Sequence, residues 1–481
     1  MAKALTLDTL KEAVTGTAAA FRSRNALQPA GGEGTKVFPP TYAGAVYATE
    51  KRRLPGHDQP VDCVLLDSVQ SQANRMEEAL QQAVDTGRFK NAGVSIPMID
   101  VDFTPYWDPA KTNKGLTDDM RLLEPVGRIS SLQAPHRIAD AILRDSVVTK
   151  DARDQALGTP VPFRQSEFGA RISMVSSRNA TALFELCPTA LIFGMWDSTG
   201  PKGGLGVKFE RAMVAEIVGI NAVYGVKTSS RIDPLAIQRD AGPLYRRRDG
   251  GYGYTVDPSL AVDELKDKKP TGKKLLYKPN SKGADVYHDP RESKYADQGR
   301  PSEGNHGNVT PDIDYRRDRN KNPIKDREGN QIPVGGATID RAEQTIVLSL
   351  PALRRLRFPI NGGFDSKVDQ AARTVLVALG LCSAALAAEA GLDLRSRCLL
   401  WPDADMTWTL LDRKNGGDFT LSADMAIDLL KKAVDEASNA NLPWRKEPLI
   451  LMPSDDLVKL VVKSQRLAMQ QQGGDSGDGG E

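Results

Sequence analysis

The run VDCVLLDSVQSQANRMEEALQQAVDTG, residues 61–87, constrains the fold more than any other stretch of the chain. Its opening VDCVLL is a short apolar run of strand character, and the residues after it are helical by spacing. Val69, Ala73, Met76, Leu80 and Ala83 recur every three or four residues, which gives the helix one apolar face. Asp67 is a candidate N-cap, Gln70 its capping-box partner three residues on, and Gly87 a stop. A strand that turns directly into an amphipathic helix needs a sheet beside it, and that points to an α+β domain. Gln70, Ser71, Asn74 and Arg75 fall on the other side, where they meet a ligand or water.

The same texture holds from about residue 61 to 230, where HRIADAILRDS reads as a second helix and ALIFGMWDS as a strand. From 231 to 340 the apolar runs vanish, and RRRDGGYGY, KDKKPTGKK and DYRRDRNKNPIKDREGNQ stand among Gly, Pro, Asn and Asp. Acidic residues there cancel much of the basic charge, so a solvated loop and a nucleic-acid surface are both open. Beyond 341 the globular pattern returns: QTIVLSLPALRRLRF and MTWTLL read as strand material, LSADMAIDLLKKAVDEA as an amphipathic helix. The reading is therefore an interrupted core, with 1–230 its first part, 231–340 a charge-rich insertion, 341–470 its second part, and 471–481 a tail expected to be disordered.

Two features bear on location. TVLVALGLCSAALAA, residues 374–388, is shorter than the roughly 20 apolar residues of a spanning helix, so a buried core helix is expected. MAKALTLDTLKEAV carries no apolar secretion core, and Cys63, Cys187, Cys382 and Cys398 are scattered in apolar surroundings, which suits reduced thiols in a cytoplasmic protein with no membrane partner.

The glycine-rich GMWDSTGPKGGLGVKFER, residues 194–211, raises nucleotide binding, since glycine amides and a lysine hold phosphates in Walker A loops. Lys202 is followed by Gly203 rather than Ser or Thr, so the magnesium position is missing, and no G-x-G-x-x-G fingerprint occurs. A structural turn, or a loop whose amides and Lys202 and Lys208 line a phosphodiester backbone, remain. His57, His136, His288 and His306 have no metal-ligand spacing, and CxxC, HExxH and GxSxG are absent. No catalytic residues, metal or cofactor are therefore assigned. Asp67, Asp140, Asp145 and Asp197 read as caps or surface charges, though a metal-assisted nuclease draws on such groups. Asn179-Ala180-Thr181 matters as a glycosylation acceptor only in a secreted protein.

Basic groups recur in short segments: FRSR with Arg22 and Arg24, EKRR with Lys51, Arg52 and Arg53, then PHR, PKGG, VKFER, and VKTSSR with Lys227 and Arg231. Contacts drawn from many segments suit a protein that tracks a nucleic-acid backbone, because each neutralised phosphate adds affinity through counterion release. Trp196, Tyr252 and Tyr254 are candidate stacking residues, worth about 1–3 kcal/mol per base. Taken singly, each is an ordinary surface or core side chain.

Five strings in order carry a resemblance: LQPAGG at 27–32, PPTY at 39–42, LLDSVQSQANRME at 65–77, PHRIADAILRDS at 135–146 and LIFGMWDSTGPKGG at 191–204. Together they resemble the RAMP-superfamily backbone subunit of the type I-G (formerly I-U) CRISPR Cascade surveillance complex, over about residues 20–235 and weakly beyond. The resemblance implies a modified RRM, ferredoxin-like core (palm) with large finger- or thumb-like insertions. It implies a noncatalytic, antiviral ribonucleoprotein component that binds CRISPR RNA, stacks head to tail with itself, contacts other Cascade subunits, presents the guide to target DNA, and leaves cleavage to a recruited helicase-nuclease. It places Gln70, Ser71, Asn74, Arg75, His136 and Arg137 along the guide. For the insertion at 231–340 a thumb, a finger over target DNA and a disordered excursion all stay open, and a metal-dependent ribonuclease like the type III backbone subunits is the alternative function.

Overall fold

The computed structural model describes every residue except 1, 45, 152–154, 199–206, 251–252, 279–284, 293, 296–297, 318–321, 326–328 and 473–481. The expected disordered tail and Lys202 therefore lie outside the described residues, the tail from residue 473 onward.

Strict alternation drives the central strands. In β1 (Ala20–Pro29), Phe21, Ser23, Asn25 and Leu27 turn inward while Arg22, Arg24, Ala26 and Gln28 face out. β2 (Val61–Asp67) leads into α1 (Val69–Asp85), as the sequence predicts, and β3 (Met213–Ile220) and β4 (Arg341–Ser349) form a long antiparallel pair. α2 (Ser366–Ala390), β5 (Thr407–Leu411), β6 (Gly417–Thr420) and α3 (Ala423–Asn439) come next in the chain. The sheet runs β6-β5-β1-β4-β3-β2, with Lys3–Ala4 and Thr49–Arg52 at its two ends. Within it β5-β1-β4-β3 are mutually antiparallel, and the chain visits them as β1-α1-β3-β4-α2-β5. That is a ferredoxin-like βαββαβ core, to which β2 is added at the β3 edge.

Burial explains the layering. α2 is apolar all round, long and apolar enough to cross a membrane by length and composition, and it lies buried in this core. At Gly380 an added Cβ would stand 3.3 Å from the Met213 sulfur and 3.4 Å from Leu348, so the helix rests directly on β3 and β4. α1 and α3 pack against α2. All four cysteines are buried and unpaired. A second sheet of five strands, ordered Ala156–Pro162, Ser146–Lys150, Leu449–Pro453, Ile99–Asp102, Arg128–Ser130, belongs to the same unit.

The chain divides into two units. The first comprises Met1–Asp108, Pro125–Gly225 and Gly336–Val458 and contains both sheets; the second comprises Pro109–Glu124, Val226–Gly335 and Lys459–Glu481. The second is built of short antiparallel pairs, among them Lys227–Arg231 with Val309–Asp314, and a three-stranded sheet of Asp263–Lys266, Lys269–Leu275 and Tyr287–His288. Tyr245, Ala261 and Leu276 form a small core there, and Tyr254 Oη lies 2.8 Å from His306 Nε2.

Three local expectations change. HRIADAILRDS forms a 3-10 turn, Arg137–Ala139, and a short helix, Ala141–Arg144, because Asp140 caps the second piece through Ile142 N. ALIFG is helical over Thr189–Phe193, with only Met195–Trp196 as strand; a fully buried apolar run does not reveal its period. Ser68, not Asp67, caps α1, accepting from Ser71 N at 3.2 Å, and this frees Asp67 for another task.

Asp100, on the inner strand Ile99–Asp102, is buried, and its Oδ1 has no hydrogen-bond partner among the described residues. Burial pushes its carboxyl up to about 6; Arg128 opposes this, while Asp102 and Asp85 add to it. Burial works on Asp102 too, but bonds from Thr104 and the charge of Arg128 hold that carboxyl below its ordinary range. Since the folded protein keeps the Asp100 proton longer than the unfolded chain, this residue's stabilising contribution is complete at low pH and is lost as pH rises through about 6. Asp100→Asn should raise the thermal midpoint at about pH 8, gaining at most about 3 kcal/mol, and lose that advantage at about pH 4. Melting curves across that range check both the sign and the window.

Candidate nucleic-acid interface

Two buried carboxylates fix the surroundings of α1. Glu77, on the stripe that also carries Gln70, Asn74 and Gln81, is gripped by both forks of Arg137, Nε at 2.8 Å and Nη2 at 2.6 Å. Burial pushes the Glu77 carboxyl upward; the guanidinium and a bond from Thr189 pull it back. The third Arg137 nitrogen donates to Gly194 O at 3.1 Å, and the guanidinium lies 5.5 Å from the Phe193 ring. Arg137 holds this position at a φ of +54°, which non-glycine residues seldom adopt. One arginine thus joins α1, the turn after Pro135 and the start of the glycine-rich segment, uniting strings that the sequence keeps far apart. The expectation that Arg137 faces a guide strand is corrected in one respect: it is 5 % exposed and engaged by Glu77.

Gly194 completes the joint. Its φ is +83°, and a Cβ there would meet Phe209 O at 2.9 Å, so glycine lets Met195–Trp196 pair closely with Lys208–Phe209. This hairpin base presents Trp196, 59 % exposed, and Lys208 to solvent. Asp197 beside it binds Arg164 at 2.7 Å. His136 is exposed on the adjoining turn, with its backbone N donating to Asp140.

The other carboxylate is Asp67, 1 % exposed. It accepts from Ser71 Oγ at 2.8 Å, Gln72 Nε2 at 2.6 Å, Arg75 Nε at 3.0 Å and Arg395 Nη2 at 3.3 Å. Through Gln72 the chain continues inward: Gln344 donates to Gln72 at 2.8 Å, Asn25 to Gln344 at 3.0 Å, and Ser23 to Asn25 at 3.2 Å. Every buried amide in this line is satisfied, which the low-dielectric interior demands. Arg75 reaches on to the carbonyls of Leu394 and Asp393 and ties α1 to the turn at 394–398.

The polar string DSVQSQANR therefore splits in two. Asp67, Ser71, Gln72 and Arg75 hold the interior together, whereas Gln70 and Asn74 are exposed beyond Glu77 toward the N-terminal end of α1. His136, Trp196 and Lys208 belong to the segments that Arg137 ties to Glu77, and Arg395 and Arg397 to the turn that is tied to Asp67 and Arg75. These two arginines escaped the sequence reading; the repeat R-S-R in LDLRSRC was the available signal. Partial positive charge at the start of a 17-residue helix adds to the field.

The remaining basic residues belong to other elements of the chain. Arg22 and Arg24 point from the uncovered face of β1; Arg24 is held by Glu343 at 2.7 Å, and Arg22 has no ion pair or hydrogen bond among the described residues. That face carries Arg341, Glu343, Thr345, Val347 and Ser349 from β4, so the two central strands offer no aromatic side chain on which bases would stack as they do on an RRM sheet. Lys51 pairs with Asp62, Arg52 with Glu50 and Glu216, and Arg53 is exposed. Lys227 and Arg231 belong to the second unit, where Arg231 bonds Gly307 O and Asn305.

Residues 21–224 match the family model described as CRISPR-associated protein GSU0053. Over that part of its length, short of half the 481 residues, the chain is similar to CRISPR-associated RAMP-superfamily proteins. No curated protein matches the chain. The matched span runs from β1 through α1, the Arg137 turn and the hairpin base to the end of β3, and so includes both flanks of α1 except the turn at 394–398.

Arg137→Ala leaves the Glu77 carboxylate buried without its partner and should cost about 3–5 kcal/mol of unfolding free energy in urea titration. Arg137→Met paired with Glu77→Leu should recover much of that loss, since it removes both charges together. A single substitution that leaves the urea midpoint unchanged would contradict this joint.

Proposed function

We propose that this chain is the CRISPR-RNA-binding backbone subunit of a Cascade-type effector, and that it holds the guide along the N-terminal half of α1. The observation that carries the reading is the joining to one helix, through Arg137, of separate strings inside the matched span whose outward residues are exposed amides, a histidine, a tryptophan and a lysine. Groups of that kind grip phosphates, riboses and base faces without reading sequence, which is what a subunit serving many different guides requires. Delegating sequence recognition to base pairing leaves the protein the tasks of shape and backbone contact.

Several copies stack head to tail on one guide in this reading, a heterologous contact that builds an open filament rather than a closed ring. Target DNA then pairs with the presented guide, and the chain itself performs no cleavage. The modified RRM description fits the ferredoxin-like strand order, but the guide runs over α1 and its flanks, because the two central strands lack stacking aromatic side chains on the uncovered face, where Glu343 and Glu216 engage Arg24 and Arg52.

Protein co-expressed with a CRISPR array should purify as a large ribonucleoprotein containing RNA of defined lengths. An RNA-free monomer under those conditions contradicts the reading, and regularly spaced, magnesium-dependent cuts in complementary RNA would replace it with a ribonuclease. Gln70→Ala with Asn74→Ala should weaken RNA retention by about threefold to tenfold, because many contacts share the load.

A further inference from the structure

Two arginines in the first unit stand out by their backbone. Arg137 and Arg397 both adopt the left-handed region, with φ of +54° and +60°, a conformation that suits glycine and strains other residues. For Arg137 the reason lies inside the protein, in the buried pair with Glu77. Arg397 has no such reason. It is exposed, and its guanidinium makes no hydrogen bond or ion pair among the described residues.

Its surroundings are nevertheless built. Arg397 is the third residue of a tight turn closed by Cys398 N donating to Arg395 O at 2.9 Å and by Leu394 N donating to Cys398 O at 3.0 Å. Turns with positive φ at that position favour glycine or asparagine. The guanidinium carbon lies 4.0 Å from the centre of the Phe38 ring, the closest of the three arginine–aromatic contacts among the described residues. Phe38 N donates to Arg397 O at 3.1 Å, and Arg395 Nη1 donates to Phe38 O, so platform and arginine are locked to one another by the backbone as well. A guanidinium held against a ring keeps its N–H fork available for a planar, bidentate anion.

The local charge also invites an anion. Arg75 and Arg395 both lean on the single carboxylate of Asp67, which leaves one positive charge in excess before Arg397 is counted. Phe38 immediately precedes the PPTY string and Arg397 lies in the turn that Arg75 anchors, so the group sits on the Asp67 flank of α1.

We propose that Arg397, stacked on Phe38 and backed by Arg395 and Arg75, is a binding site for a phosphate of single-stranded nucleic acid. The proposal rests on the reading of the chain as a guide-binding subunit and extends the bound strand to the second flank of α1. It explains why an arginine occupies a position that glycine would fill with less strain.

The test measures binding of fluorescein-labelled single-stranded RNA, and of DNA of the same sequence, to nucleic-acid-free full-length protein across a salt series. Arg397→Gly keeps the turn conformation without strain, and loses only the ring contact, so its thermal midpoint should stay near that of the parent. Its affinity should fall by about threefold to tenfold for both nucleic acids, and the slope of log affinity against log salt should shrink by about 0.7. Phe38→Leu, which keeps the charge and removes the platform, should give an intermediate loss, and Arg413→Ala, in the turn between β5 and β6, should give none. Parent protein that binds while Arg397→Gly binds equally well overturns this site and leaves the broader reading intact. Parent protein that binds neither nucleic acid overturns the broader reading itself. A loss confined to RNA assigns the guanidinium to a 2′-hydroxyl and overturns the phosphate assignment, and an equal loss at Arg413 reduces the effect to general charge.

Discussion

The buried ion pair between Glu77 and Arg137 is the constraint on which the rest of the first unit turns. Burying two charges is costly, and the pair offsets that cost only because both forks of the guanidinium are used and its remaining nitrogen finds Gly194 O. An apolar contact at the same place would hold α1 against its neighbour just as well. What the ion pair adds is direction: it specifies which carbonyl is met and therefore how the hairpin base at Met195–Trp196 and Lys208–Phe209 leaves the core. The left-handed backbone of Arg137 and the glycine at 194 are the conformational costs of that geometry.

Asp67 plays the corresponding part on the opposite side of the helix. Four donors converge on its carboxylate, and one of them, Gln72, starts a line of amides that ends at Ser23 on β1. The helix is thereby fixed in rotation as well as in position. With Glu77 and Asp67 both satisfied, the exposed stripe of Gln70 and Asn74 has a single orientation, and the groups on either flank stand at set places around it. Preorganisation of this kind lowers the entropic cost of gripping a flexible strand.

Much of the architecture is legible in the sequence because it comes from periodicity. β2, α1, β5 and α3 announce themselves by spacing and the α2 core helix by its apolar run, and Ala73, Met76, Leu80 and Ala83 are buried as the helical pattern requires. What spacing does not reveal is which polar residues turn inward. Arg75 and Ser71 look like surface groups beside Gln70 and Asn74, yet Asp67 claims them, and nothing local in DSVQSQANR separates the two sets. Arg137 is hidden for the same reason, since its partner lies 60 residues away. The helix at Thr189–Phe193 reads as a strand in the sequence because complete burial erases the contrast between faces. Arg397 escapes notice because its neighbour Phe38 is distant in sequence and joins it only through the fold.

The central claim is that a nucleic-acid strand lies along the N-terminal half of α1 and its flanks, away from the uncovered face of the sheet. Photocrosslinking tests this most directly: the protein is assembled on 4-thiouridine-substituted guide RNA, irradiated, and its crosslinked peptides are identified by mass spectrometry. The account predicts crosslinks in the peptides that carry Gln70 and Asn74, His136, Trp196, and Arg397. Crosslinks confined to β1 and β4, around Arg22, Arg24 and Thr345, would contradict it and place the strand on the open sheet.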